Sequence, residues 1–289
     1  MLIVLDKNPR SALQLIDRLG LYSTIFTVPL NQECPVPETS DWHVAYDCLK
    51  VLKSNDTPGS IYQSLVRSED AKYLAWILAA LVPWSSVPQT PPAKQKGKAL
   101  PMGGVVAREG IKADNKICSV VSGAFNHYQE IIELKNAILV KTSYTNERDT
   151  VGMTIRRWES QGGNWRLQAL FAILVETMNG KTSMGRWLPC IFYSIANFGP
   201  GYEEHFGQWQ GFIDHLEAME IMDAPSLRLI LSGTELSQAL GGLRPGPWMK
   251  PALDVCMEWQ LRNPGVEDPT GAIEEVKKRS EKLKIPIKE

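Results

Sequence analysis

Hydrophobic residues along this chain recur at intervals of three and four, and hardly ever in strict alternation. In NPRSALQLIDRLGLY, Ala12, Leu15, Ile16 and Leu19 form an i, i+3, i+4, i+7 stripe. Asn8 is placed to cap that helix, Pro9 to occupy its first position and Gly20 to close it. The pattern repeats over 41–53 through Ala45, Cys48, Leu49 and Leu52. Ser68 heads a third helix that stops at Pro83, and Asp114 opens a long one through ICSVVSGAFNHYQEIIEL. Broad apolar faces mark 165–178 and 205–220, and Ser232 with Glu235 has capping-box spacing ahead of LSQAL. The elements predict an all-α protein with no internal repeat.

The longest apolar run, YLAWILAALVPW from Tyr73 to Trp84, is shorter than the roughly 20 residues a membrane-spanning helix needs. It reads as a buried core helix. MLIVLDKNPR is too short in its apolar run for a signal peptide and lacks the Arg/Ser richness of a transit peptide. With 289 residues, 44% of them hydrophobic, the chain can bury one large core or two modest ones. Five scattered cysteines (34, 48, 118, 190 and 256) include no C-x-x-C and point to buried thiols in a reducing, intracellular setting. His43, His127, His205 and His215 lack metal-ligand spacing. The net charge of -1 creates no global positive field, so any nucleic-acid surface must be local.

Two stretches break the helical pattern. WSSVPQTPPAKQKGKALPMGG (84–104) reads as a surface loop, whose lysines could alternatively brush a phosphate backbone. GKTSMGRWLPC (180–190) has the composition of a junction. Near the end, EEVKKRSEKLK alternates charge at helical spacing, the mark of a solvated face.

The usual enzyme signatures are missing. Two-metal chemistry needs carboxylates that share ions about 3.5–4 Å apart, and the sequence holds no D-x-D. It also holds no P-loop, no dinucleotide-binding glycine motif and no G-x-S-x-G. What remains suits recognition. NERDTVGMTIRRWESQGGNWRLQ sets Arg148, Arg156, Arg157 and Arg166 around a Gly-Gly turn, with Trp158 and Trp165 beside it. The tryptophans read as core. The arginines as a group meet phosphate through their bidentate forks, or else Arg156 or Arg157 pairs with Glu147, Glu159 or another acid. In SGTELSQALGGLRPGPWMKPALDVCMEWQ, Gly241 and Gly242 stop one helix and Pro247 opens the next. Arg244 and Lys250 flank that opening, and Gly246 leaves backbone amides uncovered. A phosphate suits such a helix start, while Trp248 packs the turn.

LGGLRPGPWMKPALDVCMEWQLRNP followed by GAIEEVKKR closely resembles the C-terminal tail of eukaryotic CCA-adding enzymes, the tRNA nucleotidyltransferases. RDTVGMTIRRWESQGGNWRLQALF is similar to that family's recurring R-x-x-x-G-x-x-I-R block, and NPRSALQLIDRLGLYSTIF to its last neck helix in a fungal form. The resemblance implies an irregular all-helical arrangement with no catalytic sheet. Its parts would be the end of a neck over 1–30, a body over 31–178 and a tail over 179–289. It implies tRNA as partner, a cytoplasmic, nuclear or mitochondrial location, and no membrane. Magnesium and CTP or ATP would belong to a catalytic head that precedes the neck in the family. The head's motifs and the neck's E-D-x-x-R do not occur here, since the nearest match, EDAKY, lies beyond the neck helix. The chain is therefore expected to grip tRNA without adding nucleotides, with the catalytic head as a possible partner. The alternative is a helical interaction or scaffold module derived from the same family, which the near-zero net charge favours.

Overall fold

The computed structural model describes residues 8–28, 36–87, 100–183 and 200–286. Among them it has helices and no strand. In chain order the helices are α1 (Pro9–Arg18), α2 (Tyr22–Ile25), α3 (Trp42–Ser54), α4 (Ile61–Leu65), α5 (Glu69–Leu81), α6 (Met102–Val105) and α7 (Asn115–Leu139). They continue with α8 (Arg148–Glu159), α9 (Trp165–Ser183), α10 (Pro200–Ala218), α11 (Gly233–Ala239), α12 (Met249–Arg262) and α13 (Thr270–Lys278). The all-α expectation holds. The described residues fall into two compact units, one drawn from Met1–Leu139 and Trp158–Asp214, the other from Val140–Arg157 and His215–Glu289.

In the first unit α9 lies against α3, α4, α5 and α7. Leu167 and the run Ala169–Leu174 have no exposed surface, so this stretch of the helix is buried on every side and sits in the core of the unit. The Tyr73–Trp84 run behaves as expected: Ser68 Oγ accepts from Ala71 N at 3.1 Å, and Leu74 to Val82 are all buried. Pro83 has no amide hydrogen, so the Ala79 carbonyl four residues earlier lacks its helical donor. Tyr22 Oη donates to Ala80 O and Trp42 Nε1 to Ala79 O, each at 3.0 Å.

α1 begins as its cap residues predict, with Asn8 Oδ1 accepting from Ser11 N and Gly20 at φ 64°. Its buried face, however, differs from the predicted stripe. Leu13 and Ile16 are buried, whereas Leu15 and Leu19 are 55% and 60% exposed. Polar ties set that rotation: Arg10 pairs with Asp47 at 2.7 Å and Tyr46 donates to Asp17 at 2.8 Å, both joining α1 to α3. The expected loop from 84 is also shorter than its composition suggested. Trp84 is buried in a 3₁₀ turn with Nε1 on Phe26 O, and Gly103 and Gly104 lie in α6, where added Cβ atoms would strike Phe125 and Ser122. The lysines of that loop, the junction at 184–190, Cys34 and Cys190 lie outside the described residues.

A polar cluster is embedded in this first unit. Lys135, 1% exposed, places Nζ 2.7 and 2.8 Å from the two oxygens of Glu176 and 5.0 Å from the centre of the Trp209 ring. Trp209 Nε1 donates to Glu176 Oε2 at 2.8 Å. Thr177 Oγ1 gives its proton to Ile173 O, so it accepts from His205 Nε2 at 3.0 Å and from Cys48 Sγ at 3.6 Å. That arrangement makes His205 the Nε2–H tautomer, with Nδ1 3.9 Å from Glu176 Oε2.

The core of the second unit gathers Leu231, Leu236, Leu240, Trp248, Val255, Val276 and Ile285, with α12 packed on α13. The Ser232–Glu235 capping box forms in full at the start of α11. Cys48, Cys118 and Cys256 are free and buried, and burial pushes the Cys48 thiol up to about 12 and the Cys256 thiol up to about 11. These are inert apolar fillers.

Candidate nucleic-acid interface

The seven residues singled out from the sequence divide by what their side chains touch. Arg148 and Arg156 lie two turns apart on α8 and both turn inward to carbonyl oxygens of the second unit. Arg148 donates to the carbonyls of Met219 and Glu220, just past the end of α10, and meets the Glu220 carboxylate at 3.4 Å. Arg156 donates to the carbonyls of Ala224 and Leu227, and burial pulls its guanidinium below the ordinary value. Between them Gly152 faces Leu261 of α12, whose methyls would lie 3.0 Å from an added Cβ, and Ile155 is fully buried. The R-x-x-x-G-x-x-I-R block thus reads as a clasp: two cations hold the connector after α10, and the glycine admits α12. Neither arginine takes Glu147 or Glu159; Arg148 meets Glu220 instead, and the hydrogen bonds of Arg156 go to carbonyls.

Arg166 belongs to the first unit. It is 8% exposed, donates to Ser64 O at 2.7 Å and stacks on the Trp165 ring at 4.8 Å. Trp158 and Trp165 are core residues as expected, at 0% and 2% exposure. Gln168 Nε2 ties the Gly-Gly corner together by donating to Trp158 O at 2.7 Å. Arg157, in the last turn of α8, is exposed and engaged with a neighbouring group.

The 241–250 turn has a different character. Gly241 and Gly242 take φ of 93° and 73°, and their amides cap α11 on Gln238 O and Ser237 O. Trp248 is 5% exposed and roofs the core, with Gly246 laid 3.2 Å (from an added Cβ) against its ring edge. Regular helix begins at Met249, whose amide donates to Gly246 O at 3.0 Å. Because Pro247 and Pro251 carry no amide hydrogen, Trp248 and Lys250 supply the donors of this first turn. Arg244 and Lys250 are exposed, and among the described residues neither side chain has a hydrogen-bond or ion-pair partner. Nearby cations are spoken for. Arg262 bridges Asp149 and Glu275, and Arg279 bridges Glu258 and Glu275.

The second unit also exposes Arg228, Lys277, Lys278, Lys282 and Lys284 without partners among the described residues. The four lysines lie in the EEVKKRSEKLK stretch whose charge pattern marks a solvated face.

Comparison with known proteins gives this geometry a context. The chain is 43% identical to nucleotidyltransferase lcsQ of Purpureocillium lilacinum, over 96% of its own length and 50% of that protein's. It is 26% identical to tRNA nucleotidyltransferase cca1 of Schizosaccharomyces pombe, over 89% of the chain and 47% of the relative. Against cca2 of the same organism the figures are 23%, 93% and 49%. Its relatives are nucleotidyltransferases. The chain spans about half the length of the curated relatives it matches. No family model matches the sequence, and no solved structure matches it.

The described residues hold no group of three or more His, Cys, Asp or Glu side chains that could hold a metal ion. No helix among them is long and apolar enough to cross a membrane.

Proposed function

We propose that this chain is the tRNA-holding part of a CCA-adding tRNA nucleotidyltransferase, and that the Arg244–Lys250 turn takes an RNA phosphate. The observation that carries the reading is the pair of exposed, unpartnered cations beside the start of α12, in a unit that neutralises Arg262 and Arg279 internally. The two relatives named for tRNA support the substrate class. A-form RNA presents phosphates and a shallow minor groove, so a rigid turn with two cations suits its backbone without reading sequence. Arg148, Arg156 and Arg166 serve by shaping their units, and Arg157 borders the clasp. The metal carboxylates, magnesium, CTP and ATP belong to the part of the enzyme beyond this chain, so the chain alone adds no nucleotide.

An interaction module without RNA affinity is the competing reading, and the net charge of -1 favours it. Arg244→Ala and Lys250→Ala separate the two. Each should weaken binding of a tRNA transcript by about 1.5 kcal/mol, the lower end for a charged hydrogen bond. Each should also flatten the plot of log affinity against log salt by roughly 0.7–0.9. Wild-type affinity and salt slope in both variants would overturn the phosphate role of the turn.

A further inference from the structure

We draw no further inference here: the strongest candidate, the outward face of α1 in the first unit where Leu15 and Leu19 stand exposed, carries none because nothing in the structure shows what covers it.

Discussion

Replacing Lys135 with methionine would remove the charge from a deeply buried ion pair of the first unit while keeping most of the side-chain volume. Lys135 is 1% exposed, and both Glu176 oxygens lie within 2.8 Å of its ammonium. Breaking such a pair from one side strands the partner, at a cost of about 3–5 kcal/mol for a fully buried pair. Here Glu176 keeps the Trp209 indole as a donor and its side chain is 25% exposed, so water can reach it. Those two features reduce the expected loss to about 2–3 kcal/mol. Glu176→Gln on top of Lys135→Met removes the stranded charge and leaves an amide oxygen for Trp209. The double variant should recover at least half of the loss. Equilibrium unfolding in urea measures both, with the midpoint shift read at constant slope. A single-variant loss below about 1 kcal/mol, or a double variant no more stable than the single, would refute the claim that the pair's cost lies in the stranded carboxylate.

Other expectations follow from the same geometry. Burial, opposed by Glu176 and assisted by Lys135, holds His205 below its ordinary value near 6.5. The unfolded chain therefore binds the proton first, and the His205 contribution to stability is full above that value and falls away as pH drops toward the folded one. Unfolding free energies from pH 7.5 to 5 should show that loss, and His205→Gln should flatten it; an equal slope in the variant would exclude His205 as its source. Arg156→Ala should destabilise the second unit by about 1.5–3 kcal/mol, because the carbonyls of Ala224 and Leu227 lose a charged donor. Unchanged unfolding would contradict the clasp. Trp248→Ala should cost about 3–5 kcal/mol, since the ring is 5% exposed within the apolar cluster; a loss under 1 kcal/mol would show that the ring does not roof the core.

Local features were legible in the sequence where their physics is local. Asn8, Ser68, Asp114 and Ser232 each cap the helix their position predicted, because a cap bond spans only two or three residues. Gly241 and Gly242 stop α11 for the same reason. The buried side of α1 was not legible. Leu13 and Leu15 are equally apolar, and the choice between them depends on Asp47 and Tyr46 of α3, which the α1 pattern does not contain. Nor were the carbonyl partners of Arg148 and Arg156, because a carbonyl oxygen belongs to every residue and leaves no mark in composition. Carboxylates are visible in a sequence and carbonyls are not, so acids looked like the natural partners. That residues 140–157 join 215–289 in one unit has no local signature either.

The central claim is that this chain holds tRNA through its backbone, independently of any nucleotide transfer. A binding titration of the whole chain with a tRNA transcript, against an RNA duplex of similar length and charge, tests it most directly. Binding should be tighter to tRNA than to the duplex, weaken when the T arm is deleted, and stay unchanged when the anticodon arm is exchanged. Equal affinity for tRNA and duplex, or sensitivity to the anticodon arm with indifference to the T arm, would contradict it.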